Sequence, residues 1–90
     1  MDLAIVMSIA SGLFDVPIDP HTIAFGEVGL TGELRGSSQA NQRVKEAVKL
    51  GYTQIIFPAA NAKSIDKELR QFCMPVNSIR EAISIVSQQK

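Results

Sequence analysis

Residues 37–58, SSQANQRVKEAVKLGYTQIIFP, decide the fold. Ser37 or Ser38 can cap a helix that runs to about Leu50, and Gly51 stands where such a helix would stop. The apolar stripe of this helix consists of Ala40, Val44, Ala47 and Val48. The first half of the stretch therefore predicts an amphipathic helix with one buried face.

The second half of the stretch predicts a strand. Residues 52–57 are rich in β-branched and aromatic side chains and end at Pro58, a pattern typical of a short buried strand. A helix followed by a strand across a tight glycine turn predicts an α/β layer.

The rest of the chain predicts further short elements around this unit. Before the unit, the sequence predicts a helix over residues 2–11 that Gly12 terminates and an extended connector over 14–20. A strand over 21–28 then forms an irregular hairpin with a second short strand around 33–35. After the unit, the sequence predicts a short helix over 61–70, an edge strand over 72–76, and a final helix over 78–87 capped by Asn77 or Ser78. The first helix opens in an apolar pattern with no cap, so we expect the chain to begin inside a domain. The alternation predicts one α/β (α+β) domain, with a small mixed sheet and a helical layer.

Composition narrows the class of protein. Nine basic and nine acidic residues cancel, so any contact with DNA must come from a local patch.

The apolar stretch over 3–13 is about half as long as a membrane span, and Asp2 precedes it where a signal peptide carries positive charge. We therefore expect a cytoplasmic protein with no membrane partner. Cys73 lies in an apolar run, which predicts a buried structural thiol in a reducing compartment.

The sequence gives little support for an ATP site, a metal site or an acid-base pair of glutamates. The glycine series in residues 26–36 has no Lys-Ser/Thr pair, so an ATP site would lie outside this chain. A single histidine, His21, and a single cysteine give no metal-ligand spacing. Glu27 and Glu33 can approach each other across the hairpin as an acid-base pair, although two solvated glutamates explain them more simply.

The serines and lysines of the central helix allow two functional interpretations. Ser37 or Ser38 with Lys45 or Lys49 gives the residue types of a Ser-Lys dyad, but helix capping and a solvated helix face explain them more simply. With Arg43 on a neighbouring stripe, the two lysines also allow a small basic patch that meets phosphates.

The run FGEVGLTGELR at residues 25–35 resembles the RadA (Sms) family of bacterial DNA-recombination ATPases. The similarity continues through QRVKEA at 42–47 and IIFPAAN at 55–61, and the start of the chain, Asp2-Leu3-Ala4, matches as well. The resemblance therefore covers nearly the whole chain.

This resemblance implies a modular protein. Members carry an N-terminal zinc finger, a RecA-like ATPase core and a C-terminal Lon-protease-like domain of the ribosomal protein domain 2-like superfamily, and residues 1–90 correspond to the last module alone. The resemblance implies ATP, Mg and Zn as cofactors of the full-length protein and none in this chain. It also implies hexameric rings that drive branch migration in recombinational DNA repair, with single-stranded or branched DNA and the recombinase RecA as partners.

The resemblance to Lon also implies what this domain lacks. In Lon, a serine before the first helix and a lysine in the next long helix form the peptidase dyad; here the serine position falls immediately before Met1 and the lysine position falls at Asn41. An asparagine amide cannot act as the general base for a serine hydroxyl, so we expect a non-catalytic scaffold that supports ring assembly and DNA binding. The candidate DNA-contacting residues are Arg35, Arg43, Lys45 and Lys49. An active Ser-Lys peptidase fragment and an autonomous nucleic-acid-binding module remain as alternatives.

Overall fold

The computed structural model describes residues 1–15 and 17–87. Three α-helices, five strands and two 3₁₀ helices make up this part of the chain. They are α1 (Leu3–Phe14), β1 (Thr22–Ala24), β2 (Glu27–Val28), β3 (Leu34–Arg35), α2 (Ala40–Lys49), β4 (Gln54–Pro58), a first 3₁₀ helix (Ala59–Ser64), a second 3₁₀ helix (Lys67–Phe72), β5 (Cys73–Val76) and α3 (Ile79–Ser87). Among the described residues, no helix is both long enough and apolar enough to span a bilayer.

The main sheet is parallel and has the strand order β1-β4-β5. Strands β2 and β3 form a separate antiparallel pair, in which Glu27 lies opposite Arg35. The α/β class and the irregular hairpin are therefore confirmed, whereas the prediction of one small mixed sheet is wrong.

The sheet divides because the predicted strand over 21–28 breaks after Ala24. Gly26 has a φ of 139°, a conformation that favours glycine, and a Cβ built there would lie 2.7 Å from the Pro58 ring. The backbone therefore turns out of the main sheet and passes close to β4 before it enters β2.

Helical layers cover both faces of the sheet instead of one. Ile55 and Phe57 point to the side of α2, and Ile56 points to the side of α1 and α3; all three side chains are fully buried. A strand buried on both faces reads as a continuous apolar run, which explains why residues 52–57 were predicted correctly as a strand.

Helix α1 begins and ends differently from the prediction. The Asp2 carboxylate accepts a hydrogen bond from the Ala4 N–H at 2.7 Å, so the helix does have an N-cap. It continues through Gly12 and ends at Asp15, which has a φ of 54° and donates its N–H to the Ser11 carbonyl. Gly12 does not end the helix because this left-handed cap lies three residues later.

The ends of α2 give one correction and one confirmation. Gln39, with a φ of 57°, precedes the helix, and neither Ser37 nor Ser38 caps it through a side chain. Gly51 follows the helix with a φ of 95°, as predicted for a helix stop.

The second half of the chain follows the prediction more loosely. The helix predicted over 61–70 is two 3₁₀ helices, because Ile65 between them is extended and buries its side chain in the α2 cluster. Strand β5 is an edge strand, as predicted, and Ser78 Oγ accepts the Glu81 N–H at 3.1 Å to cap α3.

Candidate functional site

Asn41, the residue that the sequence resemblance aligned with the Lon lysine, holds the backbone of a neighbouring segment. Its Oδ1 accepts a hydrogen bond from the Asp66 N–H at 2.9 Å, and Asp66 lies between the two 3₁₀ helices. Lys45, one turn further along α2, places its Nζ 3.6 Å from the Asp66 carboxylate. Two side chains of α2 therefore hold Asp66: Asn41 binds its backbone N–H, and Lys45 pairs with its carboxylate.

This arrangement determines the chemistry available at position 41. A lysine ammonium only donates hydrogen bonds and could not accept the Asp66 N–H as the asparagine carbonyl does. The amide of Asn41 is therefore used as a fixed acceptor, which is a structural role. It offers no group that could take a proton from a hydroxyl near neutral pH.

The serines and lysines predicted as possible dyad partners make contacts with other groups. The Ser37 hydroxyl donates to the Ser38 carbonyl at 3.4 Å, and the Lys45 amine faces Asp66. Lys49 lies in the last turn of α2, where a cation interacts favourably with the helix dipole. The Ser-Lys interpretation thus gains no supporting contact, and the solvated-face interpretation fits the exposure of both lysines.

A second asparagine, Asn61, fixes the loop that leads into α2. Its Oδ1 accepts the Ser37 N–H at 2.9 Å and its Nδ2 donates to the Ser37 carbonyl at 2.8 Å. A Cβ at Gly36 would approach Nδ2 to 3.2 Å, so the small residue lets the two segments meet. Sequence reasoning missed this clamp. The one signal was an asparagine three residues after a buried strand, where a side-chain amide can pair with backbone as another peptide would.

The four candidate DNA-contacting residues do not form one patch. Arg35 forms an ion pair with Glu33 at 3.0 Å and lies opposite Glu27 in the hairpin. Arg43 and Lys45 are two positions apart on a helix, about 200° in rotation, and so leave opposite flanks of α2. The predicted residues are therefore spread over the hairpin and two sides of one helix.

Arg43 has the most defined surroundings of the four. Its guanidinium carbon lies 5.6 Å from the centroid of the Phe25 ring, and Phe25 stacks on Phe57 with centroids 5.3 Å apart. The side chain borders an open groove of about 270 Å³ that Ile23, Phe25 and Leu50 also line. A guanidinium held over an aromatic ring beside an open groove can bind a phosphate or stack on a base.

The two hairpin glutamates do not share a site. The Glu33 carboxylate accepts hydrogen bonds from the Thr31 hydroxyl, from the Thr31 N–H at 3.2 Å and from Arg35 at 3.0 Å. The Thr31 hydroxyl first, then the backbone N–H of Glu33, and then Arg35 and the Thr31 N–H lower the pKa of Glu33 to about 2. The backbone of Glu27 instead pairs with the backbone of Asp2 in an isolated antiparallel β-bridge. A carboxylate ionised at neutral pH cannot donate a proton, so an acid-base pair is not supported.

His21 and Cys73 occupy structural positions. His21 is exposed beside Asp19, with 3.3 Å between Nδ1 and Oδ1. The Cys73 thiol is half-buried and donates to the Leu69 carbonyl at 3.3 Å. Burial raises the pKa of Cys73, with Arg70 opposing the shift, which fits an unreactive thiol. Residues 1–15 and 17–87 contain no cluster of three potential metal ligands.

Comparison with known proteins gives two results. A family model described as subunit ChlI of Mg-chelatase matches residues 1–61. DNA repair protein RadA of Bacillus subtilis is 48% identical over 83 residues, which are 92% of this chain and 18% of that protein. The RadA proteins of Streptococcus pneumoniae, 37% identical over 86 residues, and Rickettsia typhi, 33% over 82 residues, match 96% and 91% of the chain. The chain spans about a fifth of the length of these relatives, 18% to 20%.

Proposed function

Because the chain belongs to the family described as subunit ChlI of Mg-chelatase and is homologous to a segment of DNA repair protein RadA, we propose that it is a non-catalytic DNA-repair domain of Lon-like fold. In this proposal the domain supports ring assembly and contacts single-stranded or branched DNA in a longer, cytoplasmic, RadA-type ATPase. Hexamer formation, branch migration, the partner RecA, and the cofactors ATP, Mg and Zn belong to that longer protein and are part of the proposal.

The observation that carries the non-catalytic role is the hydrogen bond from the Asp66 N–H to Asn41. The Lon resemblance assigns position 41 to the general base, and here that position holds a backbone segment in place instead. The family description names a chelatase, but magnesium insertion is a property of the proteins so named and is not carried over to this chain.

The DNA contact is proposed at Arg43 ahead of the other basic residues. Lys45 and Arg35 each form an ion pair with a carboxylate of the same chain, which would have to be exchanged for a phosphate. Arg43 lies on an aromatic face, which orients the guanidinium and leaves its N–H groups free to point to a ligand. With a net charge of zero, the domain adds a few phosphate contacts to a larger DNA-binding surface.

A salt titration tests the DNA contact. Fluorescence anisotropy with single-stranded and branched DNA should show weak, salt-sensitive binding, and Arg43→Ala should lower the affinity about threefold to tenfold and reduce the salt slope by roughly one. Arg80→Ala is the matched control because Arg80 is exposed on α3, at the opposite face of the sheet. Equal losses for the two variants, or no loss for Arg43→Ala, would refute the assignment.

A casein degradation assay tests the absence of peptidase activity. The native chain and Asn41→Lys should both leave labelled casein intact, since the reacting pair needs a serine beside the base. Cleavage that a serine-directed inhibitor abolishes would show an active peptidase and overturn the proposal.

A further inference from the structure

We propose that the groove between α2 and β1 binds one unpaired base of a DNA strand, and that Glu46 on its rim favours a base that carries an amino group. The inference rests on the DNA contact proposed at Arg43 and deepens it, because it names the part of the nucleotide that the groove accepts. Arg43 itself is assigned to the adjoining phosphate.

Most of the groove lining is apolar. The groove has a volume of about 270 Å³, and its apolar residues are Ile23, Ala24, Phe25, Ala47 and Leu50. Leu50 is 75% exposed and follows α2, about 10 Å along the helix axis from Arg43. A hydrated phosphate gains nothing from such a lining, whereas the face of a base gains from apolar contact. In a duplex these faces are stacked on neighbouring base pairs, so the lining suits an unpaired base.

The polar side chains of the groove all come from one flank of α2. Gln42 and Glu46 are four residues apart, and the Gln42 Nε2 donates to the Glu46 Oε1 at 3.3 Å. Arg43 lies nearer to the sheet, with its guanidinium over the Phe25 ring. The groove therefore has a cation beside the sheet and an exposed carboxylate on its outer rim.

The carboxylate argues against a site for phosphates alone. Glu46 would repel any phosphate that fills the groove beside Arg43. A whole nucleotide satisfies both charges, because its phosphate pairs with a guanidinium and an amino group on its base donates to a carboxylate. An apolar segment of polypeptide would instead cover the two charges without pairing either, which costs free energy. Charge complementarity therefore favours a nucleotide whose base is cytosine, adenine or guanine over thymine.

Oligonucleotides of equal length separate the base from the phosphate. In fluorescence anisotropy, the native chain should bind oligo-dC about threefold or more tightly than a strand of abasic nucleotides, which has the same phosphates. Leu50→Ser should lower the affinity for oligo-dC and leave the affinity for the abasic strand unchanged. Leu30→Ser is the matched control, because Leu30 is also exposed but lies between β2 and β3.

A ratio of two affinities tests Glu46, because a loss of folded protein would affect both affinities alike. The native chain should bind oligo-dC about threefold or more tightly than oligo-dT, and Glu46→Ala should bring this ratio close to one. Glu68→Ala makes the same change of charge at an exposed position of the second 3₁₀ helix and should keep the native ratio.

The outcomes distinguish this inference from the proposed function. Equal binding of oligo-dC and the abasic strand would overturn the base subsite and leave the phosphate contact at Arg43 in place. A Glu46→Ala variant that keeps the native ratio would overturn the role of Glu46. If no oligonucleotide binds, or if Arg43→Ala binds as tightly as the native chain, the proposed DNA contact fails together with the subsite.

Discussion

Helices α1 and α2 lie on opposite faces of one sheet, but their outward faces differ in chemistry. The outward face of α2 carries charged and amide side chains, and Asn41, Arg43 and Lys45 each contact a named partner within the chain. The outward face of α1 carries Ile5, Ile9 and Leu13, all more than half exposed. The polar side chains of the first surface are paired within the chain, whereas the second leaves apolar side chains exposed in the part of the chain that the structure describes.

The largest expected effect tests whether the inward and outward faces of these helices differ as described. Val44 on α2 is fully buried, so Val44→Glu places an unpaired carboxylate in the apolar cluster and should cost several kcal/mol, enough to unfold a domain of this size. Ile9→Glu makes the same change on the outward face of α1 and should alter monomer stability by less than about 1 kcal/mol. Urea denaturation followed by circular dichroism measures both. A Val44→Glu variant that folds as stably as the native chain would contradict the difference between buried and outward helix faces.

A pair of glycine variants tests how the α1 side is joined to the sheet. The Gly26 carbonyl accepts the Leu3 N–H at 2.9 Å, and its φ of 139° and its approach to Pro58 leave no room for a Cβ. Gly26→Ala should destabilise the chain by about 2 kcal/mol or more. Gly12→Ala, in a helix with open space around it, should instead stabilise by about 0.5–1 kcal/mol. Thermal or urea unfolding that gives both variants the same sign would contradict this description.

A smaller effect is expected at the polar side of α2. Asn41→Ala removes the acceptor for the partly buried Asp66 N–H and should cost about 1–2 kcal/mol. Gln42→Ala removes only a surface hydrogen bond to Glu46 and should cost about 0.5 kcal/mol or less. Hydrogen exchange at the Asp66 amide should speed up in the first variant alone. Equal protection of that amide in both variants would show that Asn41 does not hold it.

The smallest effect concerns the hairpin, which belongs to neither helical face. The folded pKa of Glu33, about 2, lies below its ordinary value of 4.5, so its contribution to stability is present above about pH 4.5 and is lost as the pH falls through 2. Thr31→Val removes the largest cause of the shift and should raise the pKa of Glu33 toward its ordinary value. A carboxyl titration by NMR measures this shift. A pKa that stays near 2 in the variant would assign the effect to the backbone N–H of Glu33 and to Arg35 instead.

The parts of the fold that local pattern controls were predictable from the sequence. The α2 apolar stripe, the Gly51 stop and the continuous apolar run of β4 each depend on neighbours in sequence, and all three are confirmed. The recognition of the RadA resemblance is confirmed as well, because the relatives match at least nine-tenths of the chain.

The parts that failed depend on contacts between distant residues. The break at Gly26 follows from the position of Pro58, and the start of α2 follows from Asn61, which binds Ser37 from 24 residues away. Arg43 and Lys45 leave opposite flanks of α2, as their spacing of two residues on a helix requires, and a count of positive charges does not show this.

The central position of β4 also determines when the chain can fold during synthesis. β1 pairs with β4 through Thr22 and Gln54, and β5 joins β4 through Ile55 and Cys73. Leu3 and Met7 of α1 share their apolar cluster with Ile56, so they have no complete cover until the ribosome has released β4. Before residue 54 emerges, the inward face of α1 therefore lacks the central strand against which it packs, and apolar surface exposed during synthesis favours aggregation.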